Sequence, residues 1–389
     1  MNDIGGGKNM EDNKKKDQNQ EANEVEEITS KVQETKDTEE KVSEVQENVE
    51  VKDEADESGE ALEFAEKSSN KKKIIIGAAA VVVAIAVGVG VYANSKLNKV
   101  KQTPVKEEEL KVDKETEEEV EEEFLNVAIF GVNVKSESDK TSDSDAVYVA
   151  SLNKKTKEVK LLPVYGNTLM KSGSDTIKMK EAYAKGGAQE AIAVLNENLN
   201  MNIKDYVSLN FQSMVDAIDI LGGIEIDVKK DEIPHINGYA EGIAKALGKE
   251  VKVVEKEGAQ LLDGAQATGY CRIRVTDGGD VQRGNRQVEV INKMLAKLKE
   301  ANFSQMDKIM DAVFPQVETN FDKAEMINYG KDAAAYKLTT IPAFPREIKE
   351  QVRKPKEEGV QFNDFEEVVE GTNVEKDVED IHNELFPEK

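Results

Sequence analysis

Arg272 and Arg274 stand two residues apart, so on an extended chain their side chains share a face. The run Thr276-Asp277-Gly278-Gly279-Asp280 follows, a turn that can start a helix with Asp277 or Asp280 near its cap. On that helix Arg286 and Gln287 lie three and four residues after Arg283, which puts them on its side. Four arginines at a helix start suit phosphate. Guanidinium forks grip its oxygens in pairs, and the helix end adds free N–H groups and the positive end of the dipole. The bland use of the same residues is an exposed helix with ordinary ion pairs, such as Asp280 with Arg283. In a chain with a formal net charge of −25, a cluster of cations argues for the anion site.

Other chemistries have less to build on. Of 389 residues, 53 are Lys or Arg and 78 are Asp or Glu, so the basic footprint of a nucleic-acid binder is absent from the whole chain. One cysteine excludes an internal disulfide or a Cys-rich zinc site, and two histidines, His235 and His382, give no His cluster. Cys271, beside Arg272, reads as a small buried strand residue rather than a redox switch. His235 follows Pro234 and reads as loop surface. Gly186-Gly187 precedes a helical run, but no Walker lysine pattern follows it.

The elements that must position the arginines begin late in the chain. Residues 1–70 carry 22 acidic and nine basic side chains and few aromatics, so 1–73 is expected to be a disordered acidic tail. Residues 74–93, IIIGAAAVVVAIAVGVGVYA, have no charge, and twenty residues at about 1.5 Å each span about 30 Å, a bilayer core. A retained single span fits better than a signal peptide, because 70 residues precede it. Lysines flank both sides, Lys71 to Lys73 before and Lys96, Lys99, Lys101 and Lys106 after, so charge alone leaves orientation nearly tied. Residues 94–123, with glutamates at 107–109, 117–119 and 121–123, read as a solvated acidic spacer.

From 124 the pattern changes to short apolar runs alternating with helical ones. Strands are expected at 124–131, 146–152, 159–164, 206–211 and 224–228, and helices at 188–199, 211–221, 262–270, 280–300, 304–313 and 323–336. Ile341 to Pro345 reads as a closing strand, and 346–389 as an acidic, poorly ordered tail. The alternation predicts an α/β domain over 124–345, an α-β-α arrangement with a mixed central sheet covered by helices.

Several stretches resemble the LytR-CpsA-Psr family of cell-wall glycopolymer transferases. NVAIFGVN (126–133) is similar to its opening strand, and SDSDAVYVASLNKKTKEVKLL (142–162) to the next hairpin. MKEAYAKGG (179–187) resembles its Lys-Ile-Asn-x-Ala-Tyr-x-x-Gly-Gly segment, and DYVSLNFQSMVDAIDILGGIEIDV (205–228) matches along its length. GAQLLDGAQATGYCRIRVTDGGDVQRGNRQ (258–287) is the most specific piece, keeping the L-x-G-x-x-A-x-x-Y-x-R-x-R core and the D-x-x-R-x-x-R-Q tail.

The resemblance implies a fold with a deep apolar groove for a polyprenyl tail. It implies transfer of a glycopolymer from a polyprenyl-pyrophosphate carrier to a peptidoglycan hydroxyl, with Mg²⁺ (or Mn²⁺) held by aspartates. It places the folded domain outside the cell membrane and the N-terminus in the cytoplasm, with no nucleic-acid partner. Carried over by position, Arg272, Arg274, Arg283, Arg286 and Gln287 match pyrophosphate binders, with Asp277 and Asp280 in support. Asp145 and Asn133 match the metal side. Five positions depart from the family pattern: Lys135 and Gly166 replace arginines, Asp143 stands at an arginine position, and Asn133 and Asn167 replace aspartates. Each lost charge-assisted contact forfeits about 1.5–3 kcal/mol. Two expectations follow: a transferase with a remodelled site, or a degenerate pyrophosphate-lipid binder that regulates or partners active paralogues.

Overall fold

The computed structural model describes residues 95–132, 142–250, 252–276, 279–332, 335–355 and 365–387. The expected tail 1–73 and span 74–93 lie outside them, as do Asn133, Lys135 and Asp277 and the side chain of Asp280. Among the described residues no helix is long and apolar enough to cross a membrane.

A seven-stranded mixed sheet forms the centre. In chain order its strands are β1 (Lys101–Gln102), β2 (Phe124–Val132), β3 (Ser144–Asn153), β4 (Glu158–Val164), β7 (Asp205–Asn210), β10 (Val317–Thr319) and β11 (Lys337–Thr340). Their spatial order is β1-β10-β7-β2-β3-β4-β11. The β2-β3-β4 meander is antiparallel, while β7 runs parallel to β2 and β11 parallel to β4. Hairpins β5 (Leu169–Ser172) with β6 (Asp175–Lys178), and β8 (Ile224–Val228) with β9 (Gly258–Leu262), stand outside the sheet.

Alternation along the central strands feeds two cores. Ala128, Phe130, Val147, Val149 and Leu162 face helix α2 (Met179–Leu199), whereas Ile129, Tyr148, Ala150 and Leu161 face the other way. The second face is covered by α3 (Phe211–Ile220), α6 (Gly279–Lys299) and α7 (Phe303–Val313). This is the expected α-β-α arrangement. Helix α4 (Ile233–Ala246) and the short α5 (Gly264–Tyr270) pack beside α3. A Cβ on Gly264 would lie 2.2 Å from the Val215 carbonyl oxygen, so only glycine allows α5 to approach α3 so closely. Gly187, at φ +65°, kinks α2, which gives Gly186-Gly187 a backbone role.

The structure corrects several boundaries. Residues 95–123 belong to the domain: Leu97, Leu110 and Val120 are buried, and Lys101–Gln102 pairs with β10. The glutamates remain at the surface, where Glu117 and Glu121 of α1 (Lys114–Val120) and its end each reach Lys204 at 2.6 Å. The run expected as helix from 262 is strand up to Leu262, and Asp263 then caps α5 through a reciprocal bond with Gln266. Cys271 follows α5 as its buried cap and is not in a strand. His235 sits in the first turn of α4, not a loop. Helix α8 (Lys323–Gly330) stops earlier than expected, and the closing strand is β11, followed by one bridge from Val164 to Phe344.

The tail from 346 folds as well. It forms hairpin β12 (Ile348–Pro355) with β13 (Phe365–Gly371), then helix α9 (Val374–Leu385). Val378, Ile381 and Leu385 repeat at helical spacing and are buried, and Phe386 meets Phe124 edge-on at 5.1 Å. High charge on the outer face hides this apolar stripe from composition.

Candidate functional site

Four segments converge at one end of the sheet: the start of β3, the loop after β4, the turn after α5 and the first turns of α6. Asp145 of β3 is their meeting point. Its Oδ1 lies 3.5 Å from Arg274 Nη2 and 3.8 Å from Arg283 Nη1. Its carbonyl accepts from Gln287 Nε2 at 3.4 Å, and Gln287 Oε1 accepts from the Tyr148 hydroxyl at 3.4 Å. Arg272 turns onto aromatic rings, 5.3 Å above Phe211 and 5.6 Å from Tyr239. Thus Arg272 and Arg274 lie in a turn rather than on a strand, with fully buried Ile273 between them.

Arg286 behaves differently from its expected place among the pyrophosphate ligands. It is 2% exposed, and all three of its guanidinium nitrogens donate within the protein. Nε bonds Glu232 Oε1 at 2.9 Å, Nη1 the Ile273 carbonyl at 3.1 Å and Nη2 the Thr276 hydroxyl at 2.6 Å. It therefore holds the turn that carries Arg272 and Arg274.

The described departures from the family pattern, Asp143, Gly166 and Asn167, lie around Arg283 and Lys180. A Cβ on Gly166 would lie 3.4 Å from Arg283 Nη2 and 3.4 Å from the Cβ of Lys180. Lys180, in the first turn of α2, donates its backbone N–H to the Gly166 carbonyl and sends its ammonium 3.7 Å from Asp143 Oδ2. Burial pushes the Asp143 carboxyl up, Lys180 pulls it back and Asp145 pushes it up again. Lys180 stands where the quoted family segment has asparagine, so a cation has entered beside the lost arginine. The sequence carried that signal in MKEAYAKGG, but only the contact with Gly166 gives it a meaning. Asn167 is buried, and its carbonyl accepts from Val369 N–H of β13 at 3.0 Å. Among the described residues its enclosed side-chain oxygen has no hydrogen-bond partner.

Behind the arginines lies an apolar cavity between the sheet and its helices. Ile129, Ala150, Met214, Ile291 and Phe314 contribute to its wall, and so do Leu97 and Val100 from the segment before β1. Tyr148, Cys271 and Gln287 line it too, so Gln287 touches both the cavity and the charged end. Burial pushes the Cys271 thiol far up, which keeps it protonated and unreactive at neutral pH.

The described donors do not suit a divalent cation. Among the described residues no three His, Cys, Asp or Glu side chains are grouped to hold one. Asp145 faces two guanidiniums and Asp143 an ammonium. The Asn167 oxygen is enclosed, as above, and Asn133 lies outside the described residues.

Cations stand beside one end of an apolar chamber, a head-and-tail arrangement, with Gln287 common to both parts. The LytR_cpsA_psr family profile matches residues 87–363. The polyisoprenyl-teichoic acid–peptidoglycan teichoic acid transferase TagT of Bacillus subtilis is 28% identical over 264 residues, 66% of this chain and 79% of that protein. The transferase TagV of the same organism is 28% identical over 202 residues, 50% of this chain, and the chain spans about half of TagV's length, 49%. Biofilm regulatory protein A of Streptococcus mutans is 31% identical over 212 residues, 51% of this chain and 50% of its own. A solved protein from Streptococcus agalactiae shares the fold, with a TM-score of 0.52, 24% identity, and coverage of 68% of this chain and 87% of that one.

Proposed function

The chain belongs to the LytR-CpsA-Psr family, and on that premise we propose that it is a glycopolymer transferase of the cell envelope with a remodelled site. It takes a polyprenyl-pyrophosphate-linked glycopolymer as donor and a peptidoglycan hydroxyl as acceptor. The activity for which TagT is named supports the donor and acceptor classes. Residues 74–93 anchor the protein in the membrane, with the N-terminal tail in the cytoplasm and the folded domain outside.

One observation carries the reading: Gln287 joins an apolar cavity to a cluster of arginines. A polyprenyl chain needs the first and a pyrophosphate the second. In transfer, the acceptor oxygen bonds to the phosphorus on the glycopolymer side. The bond from that phosphorus to the bridging oxygen breaks, polyprenyl phosphate leaves, and the hydroxyl proton is released. Arg274 and Arg283 face the charge that grows on the leaving phosphate. Asp145 holds both guanidiniums in place before the ligand arrives. Lys180 adds charge where Gly166 has none.

A second reading has its own support. Asn167 is sealed under β13 and Gly166 lacks a side chain, so the β4 loop offers no charged group to the reaction. The protein would then bind the donor without turning it over. The head-and-tail site itself is tested by titrating the full chain in nanodiscs with farnesyl pyrophosphate and with farnesol. Tight binding of the pyrophosphate that Arg274→Ala abolishes, and that persists in EDTA, supports it. Equal binding of the two probes would exclude it.

A further inference from the structure

We propose that Glu232 is a positioning residue that acts through Arg286 to aim Arg272 and Arg274 at the pyrophosphate. The assignment rests on the head-and-tail reading above and extends it to a residue that never meets the ligand.

Glu232 precedes α4 and is 1% exposed, while Arg286 on α6 is 2% exposed. Two opposite charges sealed from water at this depth need each other. Removing one strands the other without solvent. Both carboxylate oxygens of Glu232 are filled: Oε1 by Arg286 Nε at 2.9 Å and Oε2 by the Lys229 N–H at 2.9 Å. The planar guanidinium fixes its remaining two nitrogens once Nε is held. Those two nitrogens bond the Ile273 carbonyl and the Thr276 hydroxyl, at 3.1 and 2.6 Å. The Tyr270 ring packs against the same guanidinium, 5.6 Å from its carbon.

Residues 270–276 are therefore clamped from one side by a single group. Arg272 and Arg274 flank the clamped carbonyl of Ile273. The rest of the turn is held by the buried Ile273 side chain and by backbone bonds, from Arg272 and Ile273 N–H back to α5 and from Gly279 N–H to the Thr276 carbonyl, and none of these fixes the direction of the two arginine side chains. Glu232 sets Arg286, Arg286 sets Ile273 and Thr276, and these set the two arginines. Neither Glu232 nor Arg286 lines the apolar cavity, so the clamp governs the head of the ligand and not its tail.

The test compares two probes on the full chain in nanodiscs. Farnesyl pyrophosphate reads head and tail together, and farnesol reads the tail alone. Glu232→Gln keeps the shape and loses the charge. Thr276→Val cuts the far end of the clamp while leaving the buried pair intact, which guards against a variant that merely fails to fold. Thr276→Ser restores the hydroxyl. The expected result is a tenfold or greater loss of farnesyl pyrophosphate affinity in Glu232→Gln and Thr276→Val. Farnesol binding stays within twofold, and Thr276→Ser returns to the native affinity. Native pyrophosphate affinity in both variants overturns the assignment, as does an equal loss for both probes, which would mean a general structural role. A native protein that binds the two probes alike overturns the head-and-tail reading and this assignment together.

Discussion

Arg283 Nη2 lies 3.4 Å from the place a Cβ would take on Gly166, so the missing side chain leaves a gap directly beside a retained guanidinium. A Cβ itself fits there at contact distance: the other near atoms are the Lys180 Cβ at 3.4 Å and the Ser144 carbonyl at 3.7 Å. Gly166→Arg therefore adds a second charge-assisted contact for the pyrophosphate. We expect farnesyl pyrophosphate to bind about tenfold tighter, in line with roughly 1.5–3 kcal/mol for such a bond. Calorimetric titration checks this, and unchanged affinity would mean the head group does not pass this loop.

The cavity wall allows a steric test. Ala150 of β3 is buried and lines the chamber. Ala150→Leu fills space that the tail would occupy, and a cavity accepts the added methyls without strain. Farnesyl pyrophosphate and farnesol should both weaken by tenfold or more while the melting temperature stays within a few degrees of native. A variant that binds both probes normally would place the tail elsewhere.

Restoring the family aspartate at 167 should harm the fold. Asn167 is buried and its side-chain oxygen has no partner among the described residues, so a carboxylate there would be desolvated and unpaired. Asn167→Asp is expected to cost about 2–4 kcal/mol at neutral pH, most of it recovered at acid pH where the group is protonated. Denaturant unfolding of the full chain at both pH values reads the difference.

Asp205, at the start of β7, supplies a pH dependence. Burial pushes its carboxyl up from 3.8 to about 6, against the pull of a hydrogen bond from Asn320. The folded state thus binds the proton more tightly than the unfolded one. Its contribution is fully present below about pH 4 and is lost as pH rises through about 6. The cost above that range is at most about 3 kcal/mol. Asp205→Asn should therefore stabilise the protein at pH 7.5 and make no difference below pH 4. Equal stability of the two proteins at both pH values would contradict the assignment.

The sheet and its helices were legible because β2, β3 and α6 carry strong periodic patterns that burial alone explains. The arginines are legible as a cluster because four cations close together are conspicuous in so acidic a chain. Their division of labour is not. Arg283 and Arg286 share a helix side and a residue type, and only the fold gives them different partners, Asp145 for the first and Glu232, 54 residues away, for the second. Lys180 was hidden for a similar reason: its role depends on Gly166, and an empty position leaves no trace of what stands next to it. The segments 95–123 and 365–387 read as solvent-exposed because both are rich in acidic residues. Leu97, Leu110, Val369 and Ile381 are few, but each is 1% exposed or less.

Transfer itself is read by one assay. The full chain in nanodiscs would be given a polyprenyl-pyrophosphate oligosaccharide and a peptidoglycan acceptor, with Arg274→Ala alongside. The account predicts glycan linked to peptidoglycan through phosphate in the native reaction and at least a hundredfold less with the variant. Donor bound by the native protein but never transferred, with or without Mg²⁺, would contradict it and leave a binding protein in the place of an enzyme.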